Sequence, residues 1–124
     1  NDDKEIVHQI LKNNTKKNVI SLINKIPLIN IFEFIANAKL FIGLDSGLQH
    51  IAAFEGTPMI VLVPSWNYYG TWFPQTTGKK IVLNKKDYVN CAPCFSLHCK
   101  NQMKCMYSIL PNEVIQHAQK LLNS

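Results

Sequence analysis

Two short apolar runs, residues 40–44 and 59–63, stand out from the rest of the chain. Each is bounded by turn residues and rich in β-branched and aromatic side chains, which predicts two parallel strands buried on both faces. The residues between them suffice for one short helix, as a parallel crossover requires. That helix opens on Asp45-Ser46-Gly47, at the carboxyl end of the first strand. In open α/β sheets ligands sit at that end, and the free backbone N–H groups of a helix start favour a phosphate.

The remaining pattern alternates in the same way. Asp2-Asp3 followed by Ile6, Val7, Ile10 and Leu11 predicts an amphipathic helix, with acids where the helix dipole favours them. Asn13-Asn14-Thr15 ends it, and residues 18–22 suit a short strand. Pro27 starts a second helix with a stripe of Leu28, Ile31, Phe32, Ile35 and Ala36. After residue 63 a long loop, residues 64–74, is dense in aromatics and turn residues; the part from Trp66 to Phe73 either stacks a base, faces another domain or forms a plain apolar pad. Residues 80–83 predict a further strand and residues 90–106 an irregular cysteine segment. Pro111 opens a closing helix with Val114, Ile115, Ala118, Leu121 and Leu122 on one face. The order is that of a parallel α/β sheet, and a length of 124 residues predicts one domain.

Composition changes this picture little. A formal charge of +5 suits anionic partners or a solvated basic face, and the lysine doublets 16–17, 79–80 and 85–86 are scattered. No apolar run has the length of a membrane span, and no signal-peptide layout opens the chain, so reduced thiols in the cytoplasm are expected. Asn1, with no initiator Met, reads as a cut end. The four cysteines, Cys91, Cys94, Cys99 and Cys105, follow C-x2-C-x4-C-x5-C. Four soft ligands in one loop suit a structural zinc or iron; free thiols or a disulfide are the alternatives. The spacing is also close to a zinc knuckle, with His98 one residue early and the last cysteine one late.

Four residues carry the candidate chemistry of the helix start. Ser46 and Gly47 offer backbone N–H groups to a phosphate, glycine allowing close approach. The alternative is that Asp45 and Ser46 only cap the helix, a place both favour. His50, three positions after Gly47, lies one turn on along the same face and either donates to a phosphate oxygen or is a satisfied structural histidine.

The segment Asp45-Ser46-Gly47-Leu48-Gln49-His50-Ile51-Ala52 resembles the motif of the family 9 glycosyltransferases, bacterial heptosyltransferases that use ADP-heptose. The resemblance continues in Gly56-Thr57-Pro58, in the approach over residues 36–43, in Cys91-Ala92-Pro93-Cys94-Phe95 and Cys105-Met106, and in Pro111-Asn112-Glu113-Val114. It implies the C-terminal, nucleotide-sugar-binding Rossmann-like domain of a GT-B enzyme, without the first strands with which that domain opens. Such a gap is met by strands re-pairing, by another chain or self-association, or by instability of the piece alone.

The resemblance further implies that Asp45, Ser46, Gly47 and His50 bind the donor, with Asp45 turned towards sugar or ribose hydroxyls because a carboxylate is repelled by pyrophosphate. Asp3 or Glu5 resembles the family's ribose-contacting acid, although helix-start charge also explains both. The family's acceptor-activating carboxylate and lipopolysaccharide-core site, in the N-terminal domain, have no counterpart here. The chain is thus expected to bind donor without catalysing, to need no cofactor for chemistry, and to bind no nucleic acid. The rival reading is a basic, zinc-knuckle-like module that binds RNA.

Overall fold

The computed structural model describes residues 2–15, 18–65, 73–95 and 98–124. Internal packing divides the chain into a first unit, residues 1–31, and a second, residues 32–124. The first holds α1, Asp2–Asn13, whose Ile6 and Ile10 are exposed, and the first turn of α2, Leu28–Ala36. Pro27 stands just ahead of α2, and its carbonyl accepts from the Asn30 N–H at 3.0 Å. The strand expected over residues 18–22 does not form. Val19 and Ile20 are exposed, and the segment makes no ladder hydrogen bonds among the described residues.

The second unit is built on a parallel sheet of β1, Phe41–Leu44, β2, Met59–Val63, and β3, Lys80–Asn84, in that order. The register sets Ile42 opposite Ile60 and Leu62 opposite Leu83. β2 lies in the middle and is buried at every residue but Leu62, as its unbroken apolar run requires. β1 departs from the expectation of burial on both faces. It is an edge strand in which Ile42 and Leu44 alternate outward and stay about half exposed.

One side of the sheet is closed by α5, Pro111–Leu122. Ile60, Leu83 and Ile109 form the buried cluster there, packed by Ile81, Met106, Val114, Ala118 and Leu121. The crossover from β1 to β2 is α3, Gly47–Phe54, which packs on both strands and buries Ala52 and Ala53. Its end shows why Gly56 follows. Gly56 has φ +70°, the left-handed region that favours glycine. The turn lets Thr57 N–H reach the Ala52 carbonyl at 3.0 Å and Gly56 N–H reach that of Ala53 at 3.2 Å, satisfying two orphan carbonyls. The buried Thr57 hydroxyl then donates to the Ile35 carbonyl at 2.9 Å, joining this turn to the end of α2.

At the carboxyl edge, the Asn84 side-chain amide donates to the carbonyls of Val63 and Pro64, both at 3.1 Å, holding the ends of β2 and β3 together. A short 3-10 turn, Lys86–Tyr88, and the four-residue α4, Lys104–Tyr107, flank the cysteine segment. The aromatic residues 66–72 lie outside the described residues. Among the described residues no helix is long and apolar enough to cross a membrane.

Candidate functional site

The chain leaves β1 at Leu44 and reaches the first turn of α3 within two residues, so Asp45 and Ser46 sit at the carboxyl edge of the sheet. Ser46 takes the N-cap position with extended backbone, φ −150° and ψ 173°, but its side chain makes no capping hydrogen bond. Its carbonyl accepts from the Gln49 N–H at 3.1 Å, which starts the helix. The Gly47 and Leu48 N–H groups precede the first intrahelical partner, as helix geometry dictates. No side chain among the described residues caps this positive end of the macrodipole.

Asp45 does not cap either. Its Oδ1 accepts from Gln49 Nε2, one turn along α3. Capping alone therefore does not describe what these two side chains do. Gly47 sits in open space, because a Cβ built on it meets no heavy atom within 4 Å. Neither packing nor a positive φ demands glycine there, unlike Gly56. His50 is exposed and forms no hydrogen bond or ion pair among the described residues, so the satisfied structural histidine is not what the structure holds. Three and four positions from Gly47 and Ser46, it shares their face of the helix. The structure thus places Asp45 and Ser46 at the carboxyl end of β1, with Gly47 and His50 in the first turn of α3.

Pattern reading missed Gln49. It is completely buried, and its Oε1 has no hydrogen-bond partner among the described residues. A buried orphan acceptor costs about 1–3 kcal/mol. A long polar residue beside Ile51, Ala52 and Ala53 and four after an Asp was the available signal. Among the described residues the Ser65 hydroxyl, just beyond β2, is likewise buried without a partner.

The cysteine segment corrects an expectation. Cys91, Cys94 and Cys99, with Phe95, Lys100 and Asn101, line an open recess of about 520 Å³, whereas Cys105 stands on α4. None of the four is joined in a disulfide among the described residues. The Asn101 side-chain amide donates to Cys91 Sγ at 3.8 Å and the Met103 N–H to Cys99 Sγ at 3.2 Å. Gln102 and Met103 have φ +48° and +54°, and the tight turn they form brings that N–H back to the sulfur. Among the described residues no group of three or more His, Cys, Asp and Glu side chains gathers closely enough to hold a metal ion. The zinc or iron expected at Cys91, Cys94, Cys99 and Cys105 thus finds no support in this arrangement. The segment is held by hydrogen bonds, including Cys94 N–H to the Ser65 carbonyl at 2.9 Å.

The sequence profile of glycosyltransferase family 9 (heptosyltransferase) matches residues 1–105. The lipooligosaccharide heptosyltransferase 2 of Campylobacter jejuni serotype O:2 is 30% identical over 119 residues, 95% of this chain and 36% of that protein. Its counterpart from serotype O:6 is 30% identical over 116 residues, 93% of this chain and 35% of its own length. The chain therefore spans about a third of the length of these relatives. No solved structure matches it at a significant level.

Proposed function

Because the chain belongs to glycosyltransferase family 9, the heptosyltransferases, we propose that it forms the donor-binding, C-terminal part of a GT-B enzyme that transfers heptose to the lipopolysaccharide inner core. The single observation that carries this reading is the start of α3: a helix end without a side-chain cap, an open Gly47, and an exposed His50 one turn further on the same face. In this reading the diphosphate of an ADP-sugar lies on the Gly47 and Leu48 N–H groups, His50 donates to it, and Asp45 accepts from sugar hydroxyls.

The chemistry assigned to these residues is help to the leaving group. A core hydroxyl oxygen bonds to the anomeric carbon as the bond from that carbon to the diphosphate oxygen breaks. The electron pair passes to the diphosphate, and the hydroxyl proton goes to a base outside these residues. Donors fixed where that charge develops lower the barrier without reorganising. The 124 residues supply donor positioning and charge stabilisation and bind without turning over.

Titration of the full-length natural protein with ADP, ADP-heptose and single-stranded RNA tests this. Binding of both nucleotides is expected, and Gly47→Ala should weaken it about tenfold, the scale of one hydrogen bond to a charged group. The same variant should leave thermal stability unchanged or raised, since alanine is the better helix former. Binding of RNA with no response to either nucleotide overturns the reading.

A further inference from the structure

Gln49 is the residue whose place the packing of α3 does not account for. It is completely buried, yet its carboxamide bonds to a single group, Asp45 Oδ1. Chemistry fixes the orientation of that amide. A carboxylate only accepts, so the nitrogen must face Asp45, and the oxygen is necessarily the orphan. An apolar side chain of the same length would fill the site and leave no buried acceptor unpaired. The fold alone therefore gives no reason for an amide here, while the carboxylate at the sheet edge does.

We infer that Gln49 is a positioning residue for the donor sugar: its buried amide holds one oxygen of Asp45 and so aims the other at the sugar hydroxyls. This rests on the donor-site reading above and deepens it. Asp45 is joined to β1 and half-buried, and Gln49 lies one turn into α3, so the bond clamps strand end to helix. A carboxylate tied at one oxygen loses rotational freedom before the sugar arrives and keeps its free oxygen off the diphosphate, which it would repel. Since Asp45 meets the sugar and not the nucleotide, the amide should matter for ADP-heptose and not for ADP.

The test uses the full-length natural protein with Gln49→Met, Gln49→Glu and Gly47→Ala, measuring affinity for ADP-heptose and for ADP alongside the melting temperature. For Gln49→Met the expected result is an unchanged or higher melting temperature, ADP-heptose affinity lower by about tenfold, and ADP affinity within about twofold of the parent, since one hydrogen bond to a charged group is lost at the sugar end only. Gln49→Glu keeps the shape but sets a second carboxylate against Asp45, and should weaken ADP-heptose at least as much. Adding Asp45→Ala to Gln49→Met should weaken ADP-heptose no more than Asp45→Ala alone, because the amide acts through that carboxylate. Unchanged ADP-heptose affinity in a folded Gln49→Met or Gln49→Glu variant overturns the inference, as does an equal fall for both ligands. Should Gly47→Ala still weaken both nucleotides in that case, the donor-site reading stands and only the role of Gln49 fails. If Gly47→Ala is also without effect, both fall.

Discussion

The two helices of the second unit that follow short turns, α3 and α5, begin in opposite ways. Both need their first N–H groups satisfied, and both lack a side-chain cap. At α5 the chain supplies its own answer. Pro111 at the first helical position removes one donor, and Glu113 places a negative charge in the first turn. Lys85 then pairs with Glu113 at 2.8 Å and lies 5.1 Å over the Tyr88 ring, tying that end to the edge of β3. At α3 no acid stands in the first turn, Gly47 and not a proline takes the first helical position, and it leaves the approach open. The nearby carboxylate, Asp45, is turned to Gln49. The start of α5 is thus filled from within, whereas that of α3 has neither an acid nor a side-chain cap among the described residues.

The comparison breaks most directly if the α3 start is filled like that of α5. Gly47→Asp places a fixed charge where the diphosphate is proposed to lie. Its expected effect is the largest, a loss of nucleotide affinity on the order of a hundredfold, through like-charge repulsion in a site of N–H donors. Stability should move the other way, by about 0.3–1 kcal/mol in favour of the fold, because an acid suits a helix N-terminus. Calorimetric titration with ADP and a melting curve of the same sample read both. A variant that melts higher and binds ADP as before would show that the open end is not an anion site. Next in size is His50→Ala, with ADP affinity down about tenfold, the scale of one hydrogen bond to a charged group, and stability within about 0.5 kcal/mol, as for an exposed residue without a partner.

The contrast between α3 and α5 also marks how far the sequence could be read. Strands, crossover helix and closing helix were legible because each carries its periodicity within a few residues: the unbroken apolar run of β2, the stripe of α5, the Gly56-Thr57-Pro58 turn. The motif residues 45–50 were legible as a stretch, since strand end and helix start adjoin in sequence. What was not legible depends on neighbours distant along the chain. β1 reads like β2 in composition, but its Ile42 and Leu44 are about half exposed, and whether a layer covers a face of the sheet is set by elements distant along the chain. Residues 18–22 have strand-like composition but form no strand. The cysteine spacing suggested a ligand set, but spacing does not fix where four side chains point, and the turn at Gln102 and Met103 commits the Met103 N–H to the Cys99 sulfur. The partner of Gln49 was readable only as an i,i+4 possibility until its burial was known.

The smallest expected effect sharpens the other side of the comparison. If α5 is closed from within for the sake of the fold, Glu113→Gln should lower the melting temperature slightly and leave nucleotide affinity unchanged. The pair also predicts a pH signature. Hydrogen bonding to Glu113, with some opposition from desolvation, raises the Lys85 pKa above its ordinary value. The folded state therefore holds this proton more tightly than the unfolded chain. The stabilisation is fully present below the ordinary lysine value of about 10.4 and is lost as pH rises through the higher folded value. Melting curves across that alkaline range should show the parent losing its advantage over Glu113→Gln, the two converging once Lys85 is neutral. An advantage that persisted undiminished would mean that Glu113 stabilises α5 through the helix dipole alone, and that the Lys85 contact is incidental to closing that helix start.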